Sequence, residues 1–365
     1  MTRSSRWLWL ILAAAVLAAG CGGGKGGKPS GGVITLTGAG ATFPYPLYSK
    51  WFDEYGKVSP QVRINYQSIG SGGGIQQLKA GTVDFGASDA PLSGEEQKAM
   101  PGQVRQIPTV AGAVAVAYNL PGVKRRLRLD GETLTAIYLG EIKQWNDPRI
   151  TKLNPGAKLP KLAVAVAHRS DGSGTSYIFT NYLAAVSKTW RDRVGAGKSV
   201  NWPVGIGGKG NEGVAGVIKQ TPGAIGYVEL AYAVQNKLAY AQIRNSAGKF
   251  VTPTIASTTA AAQGAVWDMM RVAEATDLRR SFVNSPEKDA YPIAGFTYLL
   301  VYRNQTDQAK GKALAQFLHW AIHDGQRFAA PLLYAPLPVG AVEENNRAIH
   351  SLQFGVGARH AVPPR

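Results

Sequence analysis

Cysteine and histidine are scarce in this sequence. Its 365 residues include one cysteine and five histidines, so no internal disulfide can form, and no carboxylate–histidine cluster that would bind two metal ions is evident. Beyond the first twenty residues no apolar run approaches the length of a membrane span. No internal repeat at a fixed period is present either, which disfavours a solenoid or a propeller. These absences favour a soluble globular protein, and no metal or other cofactor is predicted.

Acidic residues are outnumbered by basic ones, 23 against 40, which gives a formal net charge of +17 at pH 7. Such an excess indicates an anionic partner or a general effect on solubility. The charge is spread thinly, and the one dense cluster, “KRRLR” at Lys124–Arg128, comes with no nucleic-acid-binding motif. We therefore predict no nucleic-acid binding. The cluster is interpreted as a solvated loop, with docking to a membrane or a partner as the alternative.

The first twenty residues have the layout of a signal peptide. Arg3 and Arg6 precede the apolar run “WLWLILAAAVLAA”, which is too short to span a membrane. We therefore predict that residues 1–20 are a signal peptide and that the protein is exported. Without them the net charge falls from +17 to +15, because two arginines and no acidic residue are lost.

The position of Cys21 predicts lipidation. It follows the apolar run and precedes the glycine-rich segment “GGGKGGKPSGG”, an arrangement that resembles the start of mature bacterial lipoproteins. We expect residues 21–32 to form a flexible tether. Leu17 lies four residues before Cys21, whereas lipoprotein signals usually have leucine three before. A soluble mature protein cut nearby is therefore the alternative.

From about residue 33 onward, short apolar runs alternate with amphipathic segments, a pattern typical of α/β folds. The segment “PLYSKWFDEY” places Leu47, Trp51 and Tyr55 on one helical face, and “SGEE” has the spacing of an N-terminal capping box. The runs “AVAVAY”, “LAVAVAH” and “AIGYVEL” are almost continuously apolar, as expected of strands that are covered on both faces.

The stretch “RSDGSGTS”, Arg169–Ser176, joins one of these strands to a predicted helix. A helix begins with unpaired N–H groups, and with the hydroxyls of Ser173 and Thr175 nearby they would bind an anion. Arg169 would present a planar fork to an oxyanion, and Asp171 could hold that fork in place. The alternative is that Ser173 merely caps the helix and that Arg169 and Asp171 form a surface ion pair.

Two other glycine loops have the same design. In “GAGATFPYP”, Thr42 and Phe43 open a predicted helix, and in “IGSGGGIQQL”, Ser71 does. Three helix N-termini directed at one place would bind a small dianion without a metal. Asp89 in “FGASDAP” would repel an anion, unless the anion carries a proton that the carboxylate can accept.

Six motifs in order carry a family resemblance: “LTGAGATFPYPLYSKW”, “GSGGGIQQL”, “VDFGASDAPLS”, “RSDGSGTS”, “WPVGIGGKGNEG” and “PGAIGYVELAYA”. Together they resemble the phosphate-binding proteins of high-affinity bacterial ABC phosphate importers, from about Val33 to Tyr302 and more loosely through “LLYAPLP”. The resemblance implies phosphate contacts from Thr42, Phe43 (backbone), Ser71, Asp89, Arg169, Ser173, Gly174 (backbone) and Thr175.

Asp171 matches the family's acid that pairs with the arginine. His168 and Gly72 differ from residues that relatives often have, although neither is among the matched ligands. The chain after Ala341 is where the resemblance says least.

The resemblance also implies the fold: an α/β periplasmic-binding-protein fold of type II, with mixed sheets flanked by helices and a ligand cleft between two domains. Domain I would comprise residues 33–108 and 292–365, and domain II residues 109–291. The exported protein would bind inorganic phosphate in the periplasm or cell envelope and deliver it to the permease subunits of an ABC importer. A monomer without catalytic activity is expected, attached to a membrane only through its lipid.

Two other functions stay open. One is a secreted phosphoesterase with Ser173 as nucleophile and His168 as base, although His168 and Arg169 would point to opposite sides of a strand. The other is a binding protein for a different tetrahedral oxyanion.

Two further patterns are interpreted as coincidental. “GIGGKG”, Gly205–Gly210, fits a dinucleotide-binding fingerprint, but Pro203 interrupts the strand that should precede it. His319 and His323 lie four residues apart on a predicted helix, but no third metal ligand is evident.

Overall fold

The computed structural model describes residues 32–271 and 281–355, with only the backbone described for residues 265–271. The predicted signal peptide, Cys21 and all but the last residue of the predicted tether lie outside the described residues. In the described part of the chain, no helix is both long enough and apolar enough to cross a membrane.

The strands within these residues are, in chain order, β1 (Ile34–Gly40), β2 (Val62–Ser68), β3 (Phe85–Ser88), β4 (Val104–Tyr118), β5 (Arg128–Leu129), β6 (Ala165–Arg169), β7 (Ile206–Gly208), β8 (Ala224–Glu229), β9 (Ala239–Tyr240), β10 (Gln242–Arg244), β11 (Phe250–Val251), β12 (Ala294–Tyr302), β13 (Asn304–Gln305) and β14 (Gln353–Phe354).

The helices are α1 (Tyr45–Val58), α2 (Ser71–Lys79), α3 (Gly94–Lys98), α4 (Gly131–Tyr138), α5 (Pro148–Leu153), α6 (Gly174–Val186), α7 (Lys188–Arg193), α8 (Gly210–Gln220), α9 (Leu230–Gln235), α10 (Ile255–Arg271), α11 (Gln308–Ile322) and α12 (Val339–His350). Two short 3₁₀ turns, Asp324–Phe328 and Ala330–Leu332, follow α11.

The main sheet is mixed and has the strand order β2-β1-β3-β12-β4-β8-β6-β7, with β9 also paired to β4. Strand β1 is parallel to β2 and β3, and β6 is parallel to β7 and β8. Strands β12 and β4 are antiparallel to their neighbours in the middle of the sheet. The carboxyl ends of parallel strands therefore occur in two groups, one on each side of the β12–β4 pair.

Strand β4 joins the two groups. Its first part, Val104 to Ala113, pairs with β12, and its last part, Val114 to Tyr118, pairs with β8. The strand is buried over nearly its whole length, and its last six residues are the apolar run “AVAVAY”.

Local sequence signals explain how several elements begin. Helix α1 buries Leu47, Trp51 and Tyr55 on one face, as predicted, and its prolines lie at the N-terminus. Helix α3 begins with the predicted capping box, in which Ser93 accepts a hydrogen bond from the Glu96 N–H and the Glu96 carboxylate accepts one from the Ser93 N–H.

Candidate functional site

Four loops meet where the two groups of parallel strands face each other. They follow β1, β2, β3 and β6, and three of them lead directly into α1, α2 and α6. The Gly72 N–H donates to the Gly172 carbonyl at 2.8 Å, so the β2 and β6 loops are in direct contact. The structure buries all eight residues of the predicted phosphate site: Thr42, Phe43, Ser71, Asp89, Arg169, Ser173, Gly174 and Thr175.

Arg169 is held by a two-pronged contact with Asp171. Its Nε donates to Asp171 Oδ1 at 2.7 Å and its Nη2 to Oδ2 at 2.5 Å, while Nη1 lies 3.3 Å from Thr175 Oγ1. The Arg169 side chain is only 1% exposed and that of Asp171 12%, so the pair is not a surface ion pair. Because a guanidinium has five N–H donors, these three bonds leave two for another acceptor.

The Asp171 carboxyl also accepts a hydrogen bond from the Gly210 N–H at 3.0 Å. Although burial acts to raise its pKa, the hydrogen bond and positive charge of Arg169 and the Gly210 N–H hold the pKa of Asp171 below its ordinary value. Asp171 therefore stays ionised and keeps the guanidinium oriented.

Three buried hydroxyls already accept two hydrogen bonds each. Ser71 Oγ accepts from the backbone N–H groups of Gly174 at 3.0 Å and Asp89 at 3.3 Å. Thr42 Oγ1 accepts from Asn211 N and Nδ2 at 3.1 and 2.8 Å. Thr175 Oγ1 accepts from Arg169 and from Asn211 Nδ2, the latter at 3.1 Å. Since a hydroxyl has two acceptor sites and one proton, each of the three is left to act as a donor.

Ser173 is the N-cap of α6. Its Oγ accepts from the Ser176 N–H at 3.0 Å, so the capping interaction considered from the sequence is present. A cap uses the oxygen as an acceptor and leaves the hydroxyl proton available. Capping and anion binding are therefore compatible for this residue.

Asp89 is the carboxylate in the middle of these donors. Thr297 Oγ1 donates to its Oδ1 at 2.8 Å. Burial raises the pKa of Asp89 to about 7, against the opposing effects of the Thr297 hydrogen bond and the Arg169 charge. The carboxyl can therefore gain or lose a proton near neutral pH.

Gly174 allows the β3 and β6 loops to come this close. A Cβ at this position would lie 2.5 Å from both Cβ and Oδ2 of Asp89, a separation that no side chain tolerates. Glycine is required here because the backbone of one loop packs directly on the acid of the other.

Three buried residues beside the site were not among the predicted ligands: Asn211, Glu229 and Thr297. Asn211 belongs to the quoted motif “WPVGIGGKGNEG” and follows the glycine pattern that mimics a dinucleotide fingerprint. In the structure that pattern contains β7 and the first residue of α8, and Gly210 has a positive φ of 73°. The glycines therefore place Asn211 against the hydroxyls of Thr42 and Thr175.

Glu229 lies at the end of β8 and is fully buried. One carboxyl oxygen accepts from the Ala231 N–H at 2.7 Å and lies 3.2 Å from the Tyr334 hydroxyl. Burial, together with the negative charge of Asp89, raises the pKa of Glu229 well above its ordinary value. The Tyr334 hydroxyl donates to the Phe43 carbonyl at 2.7 Å, and the Tyr232 hydroxyl donates to the Thr42 carbonyl at 2.6 Å. These tyrosines fix the backbone of the β1 loop.

The remaining sequence patterns lie elsewhere. His319 and His323 are exposed, with ring centroids 4.4 Å apart, and in residues 32–264 and 281–355 no group of three or more His, Cys, Asp or Glu side chains could hold a metal ion. In the basic cluster, Lys124, Arg125 and Arg126 are exposed, whereas Leu127 is buried and Arg128 begins β5.

Comparison with known proteins gives consistent matches. Residues 26–324 match the PBP superfamily domain. The chain is similar to proteins named phosphate-binding protein PstS from three organisms. It is 46% identical to that of Pasteurella multocida (85% of this chain, 88% of the relative), 46% to that of Xylella fastidiosa strain Temecula1 (85% and 84%) and 40% to that of Methanocaldococcus jannaschii (89% and 88%).

Among solved structures, the chain is similar to a DING protein, with a TM-score of 0.70 and 20% identity over 88% of this chain and 96% of that chain. A high-affinity periplasmic phosphate-binding protein bound with phosphate gives a TM-score of 0.66 and 19% identity with the same coverage. At such identities the likeness concerns the fold alone. It confirms the predicted fold class, a mixed α/β fold of the type II periplasmic-binding-protein class.

Proposed function

Because this chain belongs to the PBP superfamily and, within it, to the family of phosphate-binding proteins named PstS, we propose that it binds inorganic phosphate at the four-loop site. The ligands would be Thr42, Phe43 (backbone), Ser71, Asp89, Arg169, Ser173, Gly174 (backbone) and Thr175. The Gly174 N–H, which lies 3.0 Å from Ser71 Oγ, would be shared between that oxygen and phosphate.

The site places one buried acid, Asp89, among oriented hydrogen-bond donors. Two N–H groups of Arg169 and the hydroxyl protons of Thr42, Ser71 and Thr175 are available to donate to anionic oxygens of a ligand. The Asp89 carboxylate can accept a hydrogen bond from a proton that phosphate keeps near neutral pH and that sulfate lacks. The site would therefore select a protonated tetrahedral oxyanion.

Titration calorimetry with phosphate, arsenate and sulfate tests the proposal. Wild-type protein should bind phosphate, bind arsenate similarly, and reject sulfate, because a buried acceptor facing a sulfate oxygen lacks a hydrogen bond and repels the anion. Failure to bind phosphate, or equal binding of sulfate, would contradict it.

Asp89→Asn should change the selectivity. The amide can also donate, so phosphate affinity should drop while sulfate gains in relative terms, and the phosphate-to-sulfate ratio should fall by about 10-fold or more. Both titrations are made at one pH and salt concentration. An unchanged ratio would mean that Asp89 does not distinguish these anions.

A binding role is also better supported than phosphoester hydrolysis. The candidate base His168 stacks on Trp202 with ring centroids 5.0 Å apart, and its Nδ1 lies 3.0 Å from the Arg169 carbonyl. Ser173 instead uses its oxygen to cap α6. Hydrolysis of a chromogenic phosphoester above the level of Ser173→Ala would overturn this part of the proposal.

We further propose that residues 33–108 and 292–365 form one domain and residues 109–291 the other, closed on phosphate. Hydrogen bonds from Asn211 and Tyr232 to Thr42 would cross between them, as would the 2.7 Å ion pair of Lys198 with Glu96. The closed monomer would then deliver phosphate to the permease subunits of an ABC importer. Small-angle scattering should show a more compact particle with phosphate than without it.

Export and anchoring complete the proposal. Residues 1–20 would direct export to the periplasm or cell envelope, and Cys21 would carry the lipid. Cys21→Ser should release the protein from the membrane fraction without changing phosphate affinity. Wild-type protein that is fully soluble after export would contradict the lipid anchor.

A further inference from the structure

We propose that Asn211 is a positioning residue that makes the hydroxyls of Thr42 and Thr175 donors to the bound anion. The inference rests on the proposed phosphate site and adds a residue that does not itself contact the ligand. Asn211 is fully buried at the start of α8. It contacts Thr42 in the loop after β1 and Thr175 in the first turn of α6.

The orientation of the Asn211 amide follows from its partners. Its Oδ1 accepts a hydrogen bond from the Glu229 backbone N–H at 2.8 Å. A flipped amide would set its NH₂ group against that N–H, two donors face to face in a buried site. The oxygen must therefore face Glu229, and Nδ2 must face the hydroxyls.

Nδ2 carries two protons, and the structure supplies one acceptor for each. Thr42 Oγ1 lies 2.8 Å and Thr175 Oγ1 3.1 Å from Nδ2. Each hydroxyl also accepts a second bond, Thr42 from the Asn211 backbone N–H and Thr175 from Arg169. With both acceptor sites filled, the hydroxyl proton of each threonine has to be directed away from Asn211.

This control of polarity matters because a free threonine hydroxyl can donate or accept equally well. A hydroxyl that presented its oxygen to phosphate would repel it, whereas one that presents its proton stabilises it. Ser71 has its polarity fixed by backbone N–H groups, which no side-chain substitution removes. For Thr42 and Thr175, the polarity of the hydroxyl is set largely by the neutral side chain of Asn211. This side chain orients two donors without adding charge.

Asn211→Asp tests the polarity directly, because it is nearly isosteric and exchanges the NH₂ donor for an oxygen. At pH 8.5 both hydroxyls would turn their protons toward the introduced carboxylate, and phosphate affinity should fall by about 100-fold or more. Burial raises the pKa of a carboxyl, so at pH 5.5 the group should be protonated and donate one hydrogen bond again. The variant-to-wild-type ratio of dissociation constants should then shrink by about 10-fold or more.

Using that ratio removes the part of the pH dependence that the two proteins have in common. Asn345→Asp is the matched control, because Asn345 is equally buried and donates through Nδ2 to the Pro108 carbonyl away from the site. For Asn345→Asp, the ratio of the variant's dissociation constant to that of wild type should stay near one at every pH. Thermal melts identify whether each variant is folded.

If Asn211→Asp does not fold, a second measurement tests the positioning role of Asn211. Asn211→Ala should weaken phosphate binding by about 10-fold or more in the wild-type background. In a Thr42→Val, Thr175→Val background, where no hydroxyls remain to be oriented, it should change affinity by no more than about twofold.

The outcomes separate this inference from the proposed function. Wild type that binds phosphate, together with a pH-independent ratio for Asn211→Asp or equal Asn211→Ala losses in both backgrounds, would overturn the positioning role and leave phosphate binding intact. Wild type that binds no phosphate would overturn both.

Discussion

Arg169 supplies the only formal positive charge among the proposed phosphate ligands, and Asp171 holds it in place. The Arg169→Ala substitution would remove two charge-assisted donors and leave the Asp171 carboxylate without its partner beside the anion. We expect it to weaken phosphate binding by about 2 to 5 kcal/mol.

Ser71→Ala is the comparison for Arg169→Ala, because it removes one neutral hydroxyl from the same buried site. Its expected loss is about 1 to 2 kcal/mol. Calorimetric titration of both variants with phosphate measures the difference, and circular dichroism confirms that each is folded. Equal losses would tell against the geometry assigned to Arg169.

The elements that present these residues were largely predictable from the sequence. The buried face of α1, the capping box of α3 and the glycine loops after β1, β2 and β6 all follow from local patterns. Each of these signals depends on residues within a few positions of one another, so it is visible in the sequence itself.

The buried residues that hold the proposed ligands in place were not predictable, because they are distant from those ligands in the sequence. Asn211 is 169 positions from Thr42, and Thr297 is 208 positions from Asp89. Thr297 reaches Asp89 because β12 lies antiparallel beside β3, and the register of β12 with β4 shifts between Thr297 and Tyr298. Periodicity identifies the buried positions of a strand but not its neighbours in the sheet, and an irregularity of this kind has no clear sequence signal.

The junction of α6 with the β3 loop gives a prediction for Gly174→Ala. The added Cβ would lie 2.5 Å from the Cβ of Asp89, so the two loops must move apart. The hydrogen-bond donors on the different loops could then no longer all reach one bound phosphate. Phosphate affinity should fall by about 10-fold or more, with a loss of stability of about 1 to 3 kcal/mol.

Gly216→Ala is the matched control for that substitution, because Gly216 lies inside α8 and a Cβ there meets nothing within 4 Å. It should stabilise the protein by about 0.5 to 1 kcal/mol and leave phosphate affinity unchanged. Phosphate titration and urea unfolding measure both variants. If Gly174→Ala binds phosphate as wild type does, the two loops can accommodate a Cβ at position 174 without displacing the proposed ligands.

The site lies between two groups of parallel strands, one on each side of the β12–β4 pair. Burying Asp89 and Glu229 there costs stability whenever their carboxyls are ionised. In the proposed site, the buried Asp89 carboxyl would lower the stability of the unliganded protein and accept a hydrogen bond from bound phosphate.

The stability of the unliganded protein should depend on pH. Burial raises the pKa of Asp89 to about 7, from 3.8 in an exposed carboxyl. A raised pKa in the folded state means that the contribution to stability is complete below about pH 4 and is lost as the pH rises through 7. Between pH 5 and pH 8, in phosphate-free buffer, Asp89 should therefore lower the free energy of unfolding by about 2 to 3 kcal/mol.

The raised pKa of Glu229 acts in the same direction, so the effect of Asp89 has to be taken as the difference between wild type and Asp89→Asn. Urea unfolding at the two pH values should show the variant gaining that amount on wild type as the pH rises. If the difference between the two proteins is the same at both pH values, the Asp89 carboxyl titrates in its ordinary range and does not exchange a proton near neutral pH.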